Sequence, residues 1–160
     1  MKRLLVVIFV LIPFLSFCQN RGVKFELSPG IYLSGSVGEF NPYRHKIDTC
    51  IEGEVKFICR IDGKKVFGID RGIELPETEL FSLSIEINGR KIPLDVSGMF
   101  NPTFTGGLSS GEFQLTKTRN VYILKSHFSD GAGTYIAKWK IFNYRSQRIL
   151  ISNDEKYFSE

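Results

Sequence analysis

Residues 80–89, LFSLSIEING, alternate apolar and polar side chains almost one for one and then stop at Asn-Gly. Successive side chains of a strand point to opposite faces, with a period of two. Phe81, Leu83, Ile85 and Ile87 are therefore expected on one face and Ser82, Ser84, Glu86 and Asn88 on the other. A helix would spread those apolar residues around its circumference, so the stretch reads as a strand with one buried face. Asn88-Gly89 is a strong hairpin signal, because both residues tolerate the positive φ of a two-residue turn. The return segment RKIPLDV, 90–96, directs Ile92, Leu94 and Val96 inward, and Pro93, which cannot donate to a ladder, marks it as an edge.

The same pattern places strands near 22–27, 31–37, 54–61, 64–69, 112–118, 120–126, 134–143 and 148–152, about ten in all with the first pair. Asp62-Gly63 joins one pair, SDGAG 129–133 precedes another, and NYRSQ 143–147 turns the last. No twelve-residue stretch carries a 3.6-residue period; at most residues 76–81 form a helical turn. Short strands at regular spacing predict an all-β fold, an antiparallel β-sandwich of jelly-roll or similar type, with a closed β-barrel as the alternative.

A weaker pattern lies over the first. FELSPGIYLSGSVGEFNP, 25–42, and IEINGRKIPLDVSGMFNP, 85–102, align without a gap and share Glu26/Glu86, Gly38/Gly98 and the triplet Phe-Asn-Pro. GEVKF 53–57 and GEFQL 111–115 follow in nearly matching places. One reading is a duplicated four-strand unit, which predicts two sheets related by a pseudo-twofold axis with 134–152 as an added hairpin. The other is that β-hairpins ending at Asn-Pro turns resemble one another whatever their ancestry.

The N-terminus sets the expected compartment. Lys2 and Arg3 precede an apolar run from Leu4 to Phe17, and Ser16-Phe17-Cys18 offers small residues where a signal peptidase inspects them. Residues 1–18 therefore read as a cleaved secretory signal peptide. The run is shorter than the roughly 20 apolar residues of a membrane span, and Pro13 interrupts it. Phe17 stands where a lipoprotein signal carries a small residue before its cysteine, so no lipid anchor is expected. Cleavage after Cys18 leaves Gln19 first and residues 19–160 as a single β-sandwich domain, a size that buries about two-thirds of its unfolded surface without metal or dense disulfides.

Outside the cytoplasm, the two remaining cysteines, Cys50 and Cys59, favour a disulfide. On one extended strand they would lie about 30 Å apart, far beyond bridging range. The chain must double back, and Gly53 is the obvious place. A bend there pairs Cys50 near Val55 rather than Cys59, so two separate buried thiols remain the alternative. His45 and His127 are isolated in sequence, and no metal site is expected.

Candidate chemistry is sparse. GLSSG 107–111 matches the nucleophile elbow in letters, but that elbow needs a strand before it and a helix after it, and EFQLTKT alternates like a strand. Ser109 reads as a loop serine. The carboxylates of ELPETE 74–79 would suit glycosidic hydrolysis only if paired across a cleft; beside a proline they read as solvent-facing. SDGAG and SNDE 152–155 lack the dense ligand spacing of a calcium loop. Trp139 alternates with Tyr135, Ala137 and Ile141 and reads as core. The remaining candidates are aromatics in loops: Phe40, Tyr43, Phe100 and Phe104 either grip a partner or plug the ends of the sandwich.

Removing Lys2 and Arg3 takes the formal charge from +4 to 4 − 2 = +2. The other cations sit in scattered turns, without the continuous basic face of a nucleic-acid binder. These features favour an exported, non-enzymatic binding protein with a protein or carbohydrate partner outside the cytoplasm, including inhibitor or immunity-type roles, and no cofactor. The alternatives are a carrier of an apolar small molecule in a lipocalin-like barrel, and a secreted hydrolase. The lone tryptophan, near the C-terminus, does not fit the Gly-x-Trp strand with which lipocalins begin.

Overall fold

The computed structural model describes residues 21–70, 72–102, 108–129 and 131–158; the segment 1–18 read as a signal peptide and Phe104 lie outside the described residues. The fold is all-β and antiparallel, a β-sandwich rather than a closed barrel. One four-stranded sheet runs β1-β2-β6-β7, from β1 (Arg21–Ser28), β2 (Ile31–Glu39), β6 (Thr78–Ile87) and β7 (Arg90–Leu94). The other runs β11-β10-β9-β8, from β8 (Phe113–Thr118), β9 (Val121–Phe128), β10 (Tyr135–Phe142) and β11 (Arg145–Ser152). A small third sheet holds β3 (Ile47–Glu52), β4 (Val55–Ile61) and β5 (Lys64–Lys65).

Between the two large sheets lies one core. Leu33, Leu83 and Ile85 of the first sheet face Leu124, Phe128, Tyr135 and Trp139 of the second, all 0–2% exposed. Each such side chain contributes about 1.5–3 kcal/mol on burial. The two polar tips inside are satisfied: Trp139 Nε1 donates to the Asp95 carbonyl at 2.9 Å, and Tyr135 Oη to the Phe100 carbonyl at 3.2 Å. Where β7 meets β11, Arg148 clasps the corner after β7, donating to the Ser97 carbonyl at 2.7 Å and pairing with Asp95 at 3.1 Å.

Three expectations need correction. Phe81 is exposed and Leu80 is buried, because the register steps from Ser36↔Ser82 to Val37↔Leu80 and leaves Phe81 as an unpaired bulge residue. A bulge inserts one residue and flips the alternation beyond it. The strand expected over 64–69 ends at Lys65; Phe67 instead bridges Met99 in parallel, and Gly68 turns away with φ +94°. The duplicated unit fails as a fold rule: β1-β2 and β6-β7 lie side by side in one sheet, not in two sheets related by a twofold. The two Phe-Asn-Pro corners also differ, with Asn41 at φ −110° and Asn101 at φ +40°.

The strands arrange their turns in one direction. Ile31 pairs with Ile87, and Val121 with Phe142. The tight turns Pro29-Gly30, Asn88-Gly89, Arg119-Asn120 and Asn143-Tyr144 thus gather at one end of the sandwich, here termed the hairpin pole. The starts of β1 and β6 and the ends of β9 and β11 lie at the far pole.

Candidate functional site

The loop aromatics picked out by sequence separate. Phe40 and Phe100 are buried and meet edge to face, with ring centroids 5.5 Å apart, in a second small core with Ile58 and Ile61. They join the small sheet to the sandwich. Tyr43, in a three-residue 3-10 turn capped by the Asn41 side chain, is 98% exposed. Asn101 ties the same region together, its Oδ1 accepting from the Glu77 and Thr78 amides and its Nδ2 donating to the Gly68 carbonyl.

His45 is not isolated in space. Its ring stacks on Phe40 at 4.8 Å, its Nδ1 lies 2.7 Å from Asp62 Oδ2, and its Nε2 lies 3.1 Å from Glu79 Oε2. Asp62 also accepts from the Lys46 amide. The hydrogen bond from His45 leads the causes that hold the Asp62 carboxyl below its ordinary range, whereas burial pushes Glu79 up. The imidazole is largely covered, and the arrangement pins the β4–β5 turn to β6. Sequence reading missed it because the three residues are 17 positions apart or more.

Cys50 and Cys59 lie at disulfide distance, with Cα atoms 5.7 Å apart and an S–S separation of 2.05 Å. The chain does bend at Gly53, and the tight turn pairs Glu52 with Val55 and Cys50 with Phe57. The expected obstacle is removed by a second bulge: Asp48 pairs with Arg60 and Thr49 with Ile58, which leaves Cys59 unpaired and free to approach Cys50. The bridge spans an arm whose tip projects from the body, with Ile51 73% exposed.

The other candidates sit in ordinary places. Ser109 begins a 3-10 turn, its amide donating to Glu112 Oε2 at 2.9 Å, and the chain then enters β8. Glu74 and Glu77 border an open far-pole groove with Asp70. His127 packs against the edge of Phe158. Asp154 caps a short 3-10 turn through the Lys156 amide. Among the described residues no group of three or more His, Cys, Asp or Glu is placed to hold a metal, and no helix is long and apolar enough to cross a membrane.

A further concavity lies at the hairpin pole, where sequence reading saw only turns. A cleft of about 250 Å³ opens between the two sheets, lined by Asn88, Asn120, Asn143, Tyr122, Phe142 and Tyr144. A second hollow continues past Phe142 to Lys140, Arg145 and Gln147. Rigid two-residue turns set this rim. In the turn between β10 and β11, Asn143 has φ +50° and Tyr144 φ +57°. The left-handed region suits glycine or asparagine; in a bulky residue it is an outlier, costing about 1–2 kcal/mol. Tyr144 is nonetheless 46% exposed, with the Arg90 guanidinium 4.5 Å from its ring centroid. Phe142 beside it is 45% exposed, and Lys117 lies over the Tyr122 ring. Chemically the rim offers ring faces, primary amides that donate and accept at once, and cations.

No family model matches the sequence, and no curated protein and no solved structure shows significant similarity to it.

Proposed function

We propose that this is an exported, non-enzymatic binding protein whose recognition surface is the hairpin pole and whose partner is a glycan. The observation that carries the reading is Tyr144: a bulky ring held half-exposed, in a backbone conformation costly to it, at the lip of a preformed cleft. Local strain of this kind concentrates at functional sites, and small-ligand sites are concave and largely preformed. A sugar ring presents an apolar C–H face to an aromatic and hydroxyl pairs to amides, which is the mixture on this rim. A close pairing of cysteines suits an oxidising compartment, in keeping with a cleaved leader and a mature chain beginning at Gln19.

A carrier role is disfavoured because the space between the sheets is occupied by Trp139, Tyr135 and Phe128. The test is a glycan array probed with the exported protein and with Tyr144→Gly. Binding that weakens at least about tenfold in the variant, roughly 1.4 kcal/mol, supports the reading. Absence of binding by the folded wild type, or binding indifferent to Tyr144, overturns it.

A further inference from the structure

We infer that the glycan is anionic, a polysaccharide carrying carboxylates along its chain; this rests on the glycan reading of the hairpin pole. The clefts there are lined by Lys117, Lys140 and Arg145, with Arg90 against Tyr144, and among the described residues neither cleft is lined by an Asp or Glu. Some cations elsewhere are paired, Lys24 with Glu86, Arg148 with Asp95 and Lys156 with Asp154, while others such as Lys56, Lys91 and Lys125 have no ion-pair partner among the described residues. Lys117, Lys140 and Arg145 have no ion-pair partner among the described residues. The groove at the far pole has the opposite character, with Asp70, Glu74 and Glu77 on its rim. Among the described residues, the charged side chains lining the hairpin-pole clefts are thus all cations, whereas those lining the far-pole groove are carboxylates.

Cations bordering a water-filled cleft raise the local concentration of anions and speed their association. Arg145 offers a fork suited to a carboxylate, and the lysines serve as point charges. Between these charges stand Phe142 and Tyr144, whose faces take the apolar side of a sugar. Amides at Asn88, Asn120, Asn143 and Gln147 suit its hydroxyls. A uronate polymer supplies all three features in repeat, carboxylate, ring face and vicinal hydroxyls. A neutral glycan leaves the cations unused, and a nucleic acid leaves the amide rim without its hydroxyl pairs.

The experiment compares three polymers against the protein expressed with its own leader: polygalacturonate, the same polymer fully methyl-esterified, and duplex DNA, at about 0.15 M salt. Titration calorimetry and affinity electrophoresis give the affinities, and circular dichroism confirms that each variant is folded. Polygalacturonate is expected to bind, with the ester at least about tenfold weaker, Tyr144→Gly reduced at least about tenfold, and DNA not bound. Arg145→Gln should weaken polygalacturonate several-fold and flatten the dependence on salt, while leaving the ester unchanged. If the ester binds as tightly as the acid and Tyr144→Gly weakens both, the glycan reading stands and the anionic inference falls. If DNA binds as well as polygalacturonate and Tyr144→Gly changes neither, the pole is a generic cationic surface and the inference is overturned. If folded protein binds none of the three, the inference falls, and the glycan array then decides the reading beneath it.

Discussion

Tyr144 takes the position in the β10–β11 turn that Gly89 takes in the β6–β7 turn: each follows an asparagine, each closes a two-residue loop, and the φ values are +57° and +73°. The two turns sit at the same pole. One uses the residue that the geometry favours, and the other puts a large aromatic there.

Replacing Tyr144 with glycine recreates the Asn-Gly pair. It relieves a left-handed strain of about 1–2 kcal/mol. Against that, it forfeits an exposed cation–π contact of about 0.5–1 kcal/mol and adds unfolded-chain freedom of similar size. The terms nearly cancel, so Tyr144→Gly is expected to change stability by less than about 1 kcal/mol in urea denaturation. A larger loss would make Tyr144 a structural plug rather than a recognition residue.

Glu79 makes a pH prediction. Burial raises its pKa above the ordinary carboxylate value, with His45 pulling partly the other way. The folded protein therefore holds this proton more tightly than the unfolded chain. The contribution of Glu79 is most favourable below the unfolded pKa and is lost as pH rises through the folded one. Asp62 works oppositely: its lowered pKa gives a contribution present above the unfolded value and lost as pH falls through the folded one. Glu79→Gln removes only the first effect. Thermal melts from pH 4 upward should show the variant gaining on wild type as pH rises past the model-peptide range of Glu, about 4.3. A constant difference across pH would rule out a titrating Glu79.

The Cys50–Cys59 bridge closes a short loop, with a sequence separation of 9. A loop that size yields at most about 3 kcal/mol by chain entropy. An isolated two-stranded ribbon is marginal in water, so the bridge should act on the arm more than on the core. In Cys50→Ser/Cys59→Ser, amide exchange is expected to accelerate across residues 49–58, while protection at Leu124 and Trp139 falls far less. Equal loss of protection in arm and core would show the arm to be integral to the sandwich.

Gly68 and Gly63 separate steric from conformational cost. Both have positive φ, +94° and +73°. A methyl group at Gly63 meets nothing within 4 Å, whereas at Gly68 it lies 1.8 Å from the Phe100 carbonyl oxygen. Gly63→Ala should cost about 1 kcal/mol, and Gly68→Ala about 3 kcal/mol or more, read as shifts in the urea midpoint. Similar costs would mean that the Phe67–Met99 and Phe100 crossing yields freely.

Where one strand face is buried and the other wet, sequence spoke clearly. The hairpins at Asp62-Gly63 and Asn88-Gly89, the edge placement of Pro93 and the inward Trp139 follow from period two and turn chemistry. Legibility failed at bulges. Phe81 and Cys59 each occupy a position whose face depends on a one-residue slip that local pattern does not encode. β3 escaped notice because four of its six residues are exposed, so it carries no alternation. The hairpin pole was hidden for another reason: its rim comes from three turns, at Asn88, Asn120 and Asn143-Tyr144, brought together only when the sheets stack. The one local clue was an asparagine followed by tyrosine where the strands leave room for just two residues.

Both β1 and β11 have their outer ends at the far pole. A tether attached before Arg21 or after Tyr157 would hang from the side away from Tyr144. Fastened to a bead, a cell surface or another domain through either route, the molecule would hold Phe142, Tyr144 and their attendant cations outward, like the working tip of a tool gripped by its handle.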